Sequence, residues 1–290
     1  MSTIARLFAE KPCVFSIECF PPKQTTRFAA MQQTLRSMKQ LSPDFISVTY
    51  GAGGSAGGVS SVQVAEFLQN ELGILPLAHT LCMGSDRQKM TAQLEDLRKA
   101  GVRNVLALRG DRTPLRPESP DFYHASDLMD FIRQTAPDME FSGACYPEGH
   151  PEADTLTADV ANLLHKQQAG AVHLVTQLFF DNGKFYRFLN MARKAGITLP
   201  VSAGVMPIVR RSQIERTVAL SSASLPSAFT RMISRWQDDP DSLRQAGIEY
   251  AVSQLRDLIE GGADGVHLYA MNDAGVAEQV YEGIRDLLGR

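Results

Sequence analysis

Short apolar segments rich in β-branched and aromatic residues recur along the chain, most of them separated by roughly 20 to 30 residues. Segments of this length and composition are typical of strands that are buried on both faces of a sheet. The pattern predicts eight strands, at residues 14–20, 45–50, 74–82, 104–110, 141–147, 171–179, 199–207 and 265–272.

The stretches between these segments carry apolar residues at three- and four-residue spacing, as in 91–101 and 157–170, which predicts amphipathic helices. Gly101, Gly170 and Gly196 each follow such a stretch shortly before the next strand. Glycine suits the left-handed position just past the end of a helix. The chain is therefore predicted to alternate between strands and helices.

Eight strands that alternate with helices predict an α/β protein of the (β/α)8 TIM-barrel class. An open doubly wound sheet is the alternative, but it usually has fewer strands and carries a glycine fingerprint after the first one. Here residues 19–23 read CFPPK. The long segment 212–264 predicts an extra helix or two between the seventh and eighth strands. No linker interrupts the pattern, so residues 1–290 are predicted to form a single domain.

Composition and charge are those of an ordinary globular protein. The chain is 44% hydrophobic and 21% charged, and its 29 basic and 32 acidic residues give a net charge of −3. This balance predicts no binding to nucleic acid or to a membrane surface. No segment reaches the ~20 apolar residues of a membrane span, and the polar N-terminus does not resemble a signal peptide. The expected location is the cytoplasm.

Metal-binding signatures are not found in the sequence. The four cysteines are scattered without a CxxC pair, and no two of the six histidines lie within four positions of each other. Zinc sites normally use such closely spaced ligands. No metal is therefore predicted.

The ends of the predicted strands carry the candidate chemistry, because active sites of such barrels lie at the carboxyl ends of the strands. Glu18 lies in an apolar run, where burial raises the pKa of a carboxyl group and makes it a usable general acid. The alternative is a carboxylate held in a salt bridge inside the barrel. Arg109 and Asp111 share a strand face, so they either form a local ion pair or flank a bound ligand.

The glycine-rich run at residues 51–58 invites a nucleotide-binding interpretation, but its spacing matches neither the dinucleotide fingerprint nor the phosphate-binding loop. A loop that lets a ligand approach the backbone is the better interpretation.

A set of motifs, in order along the chain, resembles the methylenetetrahydrofolate reductase family, in particular its short bacterial-type members that consist of the catalytic domain alone. The matching motifs are FSIECFPPK at 15–23, FISVTYGAGGS at 45–55, AHTLC at 78–82, LALRGD at 106–111, YHASDL at 123–128, CYPEGHPEA at 145–153 and VTQLFFD at 175–181. They fall at the ends of most of the predicted strands, which makes the resemblance specific.

The resemblance implies a flavoprotein oxidoreductase of one-carbon metabolism that serves methionine biosynthesis. It implies reduction of 5,10-methylenetetrahydrofolate to 5-methyltetrahydrofolate by ping-pong hydride transfer through FAD, with NADH or NADPH as the donor. Glu18 matches the family's acid, which protonates N10 of the folate. Asp111 matches a catalytic aspartate that contacts the pterin and places negative charge near the flavin. Gln177 and Gln213 match positions that line the folate site.

The resemblance also implies a set of FAD-binding residues, spread over the ends of the strands and the helix at 157–170. They are Thr49, Tyr50, Ala52, His79, Arg109, Gly110, Asp111, His124, Ala125, Tyr146, His150, Ala153, Asp159, Asn162, His165 and Lys166. Two departures from the family pattern concern the folate site. Asp273 stands where many members carry arginine, and Thr217 aligns with a large apolar residue.

The sequence leaves one other function open and disfavours a second. A flavin- and folate-binding subunit that takes electrons from a partner protein instead of NAD(P)H remains open, as does association into a homo-oligomer. A barrel aldolase is disfavoured because none of the predicted strands carries a lysine for a Schiff base.

Overall fold

A computed structural model describes residues 3–50, 58–111, 117–214, 217 and 223–289. Eight parallel strands form a closed barrel in which each strand pairs with the next and β8 pairs with β1. The strands are β1 Val14–Cys19, β2 Phe45–Val48, β3 Leu75–Leu81, β4 Asn104–Leu108, β5 Glu140–Cys145, β6 Leu174–Thr176, β7 Val201–Val205 and β8 Gly265–Leu268. The predicted TIM barrel is confirmed.

Helices surround this barrel. They are α1 Ile4–Glu10, α2 Phe28–Lys39, α3 Ser61–Glu66, α4 Arg87–Lys99, α5 Ala125–Thr135, α6 Leu156–Ala169, α7 Asn182–Lys194, α8 Ser227–Trp236, α9 Pro240–Glu260 and α10 Ala274–Glu282. Both α8 and α9 lie between β7 and β8, as the length of that segment predicts. Gly101, Gly170 and Gly196 adopt positive φ angles of 81°, 104° and 90°, which is the conformation expected for them.

Most of the buried apolar residues pack in two layers, and a further cluster joins Phe180 and Met206 to Phe229 of α8. The larger layer lies between the strands and the surrounding helices. The smaller layer fills the barrel interior, where Val14, Phe45 and Leu106 meet Ile4 and Leu7 of α1. Helix α1 thus closes the amino-terminal end of the barrel and leaves access from the carboxyl ends of the strands.

Two buried histidines span the middle of the barrel. His267 lies between the hydroxyls of Ser16 and Ser47, at 2.7 and 3.1 Å. His173 lies between the hydroxyls of Ser142 and Ser202, at 3.2 and 2.9 Å. Burial lowers the pKa of both, to about 3 for His267. Both rings are therefore neutral, with their polar atoms satisfied, and they belong to the barrel core.

Candidate active site at the mouth of the barrel

A cavity of about 310 Å³ opens at the carboxyl ends of the strands. Its walls include six residues that the sequence singles out, which are Glu18, His79, Tyr146, Gln177, Gln213 and Thr217. They come from four strands or strand ends and from the segment after β7. The barrel thus brings together side chains that are far apart in the sequence.

Glu18 is an acidic side chain in the wall of this cavity. It follows Ser16 on the inward face of β1, since side chains alternate along a strand, and only 8% of its surface is exposed. Burial raises the pKa of its carboxyl to about 8. At neutral pH Glu18 is therefore mostly protonated, which is the form that a general acid needs.

His79 faces Glu18 across the base of the cavity. Its Nε2 lies 3.7 Å from Oε2 of Glu18, and burial lowers the pKa of the imidazole to about 3. With the acid protonated and the imidazole neutral, the two form an uncharged pair. The buried salt bridge considered as an alternative for Glu18 does not describe this contact.

The remaining walls are largely apolar or aromatic, and most of these residues were missed in the sequence. Tyr269 is one of them, and its hydroxyl donates to the carbonyl of Thr176 at 2.7 Å. Burial raises the pKa of this phenol. Tyr269 follows His267 by two positions, so strand alternation was a signal that could have placed it inward. Phe20 and Met271 complete the rim of the cavity.

Arg109 is held by an acid from the next loop. Its guanidinium donates to both carboxylate oxygens of Glu152, at 2.6 and 2.7 Å. Asp111 is exposed at the end of a described segment. The hydrogen-bonded partner of Arg109 is therefore a residue 43 positions away, while Asp111 interacts with the guanidinium electrostatically.

The loop after β5 is tied to helix α6. The backbone N–H of His150 donates to Asp159 at 3.0 Å, and the His150 ring lies against that of Tyr146 with centroids 4.8 Å apart. Ala153 is hydrogen-bonded to His150 through the backbone. The ammonium of Lys166 donates to the carbonyl of Ala144, and burial lowers its pKa. Most of the residues that the resemblance assigns to this region therefore form one connected cluster.

Other predicted positions have simpler surroundings. Asn162 and His165 are exposed on α6. The backbone N–H of Thr49 donates to the carbonyl of Cys19, and Tyr50 is partly buried. His124 precedes α5, where its backbone N–H donates to Asp127, and Ala125 begins the helix. Gly110 has a φ of 81°, which favours glycine. Ala52 lies outside the described residues.

The side-chain amides of Gln177 and Gln213, which the resemblance places in the folate site, are both oriented by hydrogen bonds from the backbone. The side-chain oxygen of Gln213 accepts from the N–H of Val209 at 2.9 Å, and that of Gln177 accepts from the N–H of Leu178 at 3.1 Å. Thr217 is buried and also lines the cavity.

Asp273, which departs from the family pattern, caps helix α10 by accepting from the N–H of Val276. It also accepts from Arg244 at 3.0 Å and lies 3.6 Å from Arg210. Two guanidinium groups therefore stand beside this carboxylate near the barrel mouth. Because Arg210 and Arg244 come from other elements, the sequence around Asp273 did not reveal them.

Within the described residues, no helix combines the length and the apolar character that a membrane span requires.

Comparison with solved structures agrees with the barrel. An uncharacterized protein from Clostridium thermocellum that binds two copies of 5-methyl-5,6,7,8-tetrahydrofolic acid superposes with a TM-score of 0.71 at 13% identity, covering 99% of each chain. At this identity the likeness shows a shared fold.

Comparison with known sequences gives the family. The chain is 30% identical over 259 residues to 5,10-methylenetetrahydrofolate reductase from Pectobacterium carotovorum subsp. carotovorum and to that from Escherichia coli (strain K12), covering 89% of this chain and 86% of each relative. It is 32% identical over 276 residues to methylenetetrahydrofolate reductase (NADH) 1 from Zea mays, of which it spans 46%. The family model for methylenetetrahydrofolate reductase matches residues 3–285. The chain therefore belongs to the methylenetetrahydrofolate reductase family, a family of oxidoreductases.

Proposed function

We propose that this protein reduces 5,10-methylenetetrahydrofolate to 5-methyltetrahydrofolate by ping-pong transfer through FAD, with Glu18 as the general acid. The observation that carries the proposal is a carboxyl group whose pKa burial raises to about 8, placed in the wall of the cavity at the barrel mouth. The family membership and the names of the relatives support the choice of substrate.

The residues present fit a flavin. Leu108, Ala144 and Tyr146 form a wall of the cavity against which a flat aromatic ring can pack. Arg109 lies at the rim of the same mouth. Helix α5 begins at Ala125, and the free N–H groups at a helix start attract phosphate. These residues, together with His150 and Lys166, would hold the cofactor. When bound, FAD would supply the hydride-carrying step between the donor and the folate.

Glu18 would supply the proton. The carbon to be reduced bridges N5 and N10 of the folate, and the bridge must open to an iminium at N5 before hydride arrives. The carboxyl of Glu18 gives its proton to N10 as the N10–carbon bond breaks, and it is left as a carboxylate. A group with a pKa near 8 is protonated before this step and still acidic enough to give up the proton.

Gln177, Gln213 and Asp111 would place the folate. Two amides whose orientation is fixed by backbone N–H groups can pair with the polar edge of a pterin without reorganising. Asp111 would face the pterin and hold negative charge near the flavin ring. A negative charge there disfavours the more negatively charged reduced flavin, so it would lower the reduction potential and favour hydride delivery to the folate.

The experiment that tests this function separates the folate step from the electron donor. The purified protein is loaded with FAD, photoreduced under anaerobic conditions, and mixed with 5,10-methylenetetrahydrofolate. Reappearance of oxidised-flavin absorbance together with formation of 5-methyltetrahydrofolate is expected. Reduction of the flavin by NADH and by NADPH is then measured separately to identify the donor. Flavin that binds but is never reoxidised by the folate would contradict the proposal.

A further inference from the structure

His79 has a buried nitrogen whose role the proposed function leaves open. Its Nε2 is fully enclosed and finds no hydrogen-bond partner among the described residues. Only 6% of the residue is exposed. An unpaired buried polar atom is costly and rare in native proteins, and it normally has a reason.

Glu18 is the polar group that this nitrogen faces. Oε2 of Glu18 lies 3.7 Å from Nε2, which is slightly too long for a hydrogen bond. Catalytic hydrogen bonds are often long in ligand-free sites and shorten when the substrate binds. A movement of less than 1 Å by either side chain closes this gap.

The other titratable groups around the pair carry no charge. Cys19 on β1 and Tyr269 on β8 interact electrostatically with Glu18, and burial raises the pKa of each. His267 on β8 interacts with His79 and is neutral because burial lowers its pKa. Among the described residues, no charged side chain therefore competes with His79 for the carboxyl.

We propose that His79 is the positioning residue for the acid, and that its neutral imidazole donates a hydrogen bond from Nε2 to Oε2 of Glu18. This leaves the other carboxyl oxygen to carry the proton toward the folate. After the proton has left, the same N–H stabilises the carboxylate that remains in an apolar environment. The inference rests on the proposed function, in which Glu18 is the acid.

A donor to the carboxylate lowers the pKa of Glu18 below the value that burial alone would give. One hydrogen bond to a charged group accounts for about one to two pKa units. Replacing His79 by an apolar residue should therefore raise the pKa of Glu18 by at least about one unit. His79→Gln keeps an amide donor near the position of Nε2 and should restore most of the difference.

The test measures Glu18 directly by infrared spectroscopy, as the carboxylic C=O band that disappears on ionisation. Glu18→Gln assigns the band. His79→Leu is expected to move its midpoint upward from the wild-type midpoint by about one unit or more, and His79→Gln to leave it close to the wild-type value. An unmoved or lowered midpoint in His79→Leu would overturn the inference.

A second measurement uses the wild-type protein, so it does not depend on the folding of any variant. Nitrogen NMR of histidine-labelled protein should show His79 neutral and protonated at Nε2, with an inflection near the pKa of Glu18. A proton on Nδ1, or no inflection, would contradict the role. Neither readout requires folate turnover, so a failed folate reaction in the wild type would instead count against the proposed function.

Discussion

At the scale of single residues, Glu18 separates the two halves of the proposed reaction. Glu18→Gln keeps the shape of the side chain but removes its acidic proton, so turnover of 5,10-methylenetetrahydrofolate should fall by about 10²–10⁴-fold. Reduction of bound flavin by the nicotinamide needs no proton from this group and should stay nearly unchanged. Stopped-flow absorbance measures both steps, and an equal loss in both would show that Glu18 is not the acid.

In the proposed function, Asp111 would act through its charge. Asp111→Asn should raise the reduction potential of bound flavin and slow hydride delivery to the folate, because a negative charge near the ring is removed. A redox titration with reference dyes measures the potential. Asp138→Asn is the matched control, since Asp138 pairs with Arg98 and Arg103 beside the start of β5, at the opposite end of the barrel. The electrostatic role fails if both variants leave the potential where it was.

Some of the site residues could be predicted from the sequence and others could not. Glu18 was predicted because an acid in an apolar run signals burial whatever the fold. The contact of Glu18 with His79 and the ion pair between Arg109 and Glu152 were not predicted. Each joins two strands or loops that are far apart in the sequence and come close together only when the barrel closes. Tyr269 was missed although its alternation with His267 carried the information.

At the scale of elements, the eight strands were identified from their apolar runs, but several were predicted too long. The run at 171–179 forms a ladder only at Leu174–Thr176. Gln177 still donates its backbone N–H to the carbonyl of Cys145, and the side chains of Gln177 and Leu178 line the cavity. Apolar character continues past the ladder because the cavity wall is also apolar, so hydrophobicity alone could not mark the end of the strand.

Gly204 on β7 shapes the same wall. A Cβ at this position would lie 2.6 Å from both the carbonyl oxygen of Thr176 and the ring of Tyr269. Gly204→Ala should therefore displace Tyr269, lower the free energy of unfolding by about 1–3 kcal/mol, and weaken folate binding. Gly275→Ala is the matched control, because its Cβ would meet only ordinary contacts at 3.5 Å or more. Urea unfolding and binding titrations compare the two variants, and equal behaviour would contradict this role of Gly204.

At the scale of the whole molecule, the buried acid links stability to pH. The pKa of Glu18 is about 8 in the folded protein against 4.5 as the reference value. Between these values the folded state binds more protons than the unfolded state, so the contribution of Glu18 to the free energy of unfolding falls as pH rises. The contribution is fully present below pH 4.5 and lost above about pH 8.

Glu18→Gln should therefore gain stability relative to the wild type as pH rises from 5 to 9, with an upper bound of about 5 kcal/mol. Urea unfolding at a series of pH values measures the difference. His267 is buried with a lowered pKa, so its contribution to the free energy of unfolding depends on pH in the opposite direction. That contribution is lost as pH falls below about 6.5. That loss occurs in both proteins and cancels in the comparison. A difference that stays constant with pH would show that Glu18 titrates normally.

In the proposed function, Glu18 is the group through which flavin and folate chemistry meet at the barrel mouth. The most direct test adds 5-methyltetrahydrofolate to the FAD-loaded protein under anaerobic conditions and follows the flavin absorbance. This reverses the folate step and assumes no electron donor. Bleaching of the flavin in the wild type, and its loss in Glu18→Gln, is the predicted result. Flavin that binds and stays oxidised in the wild type, or bleaches equally in both proteins, would contradict the account.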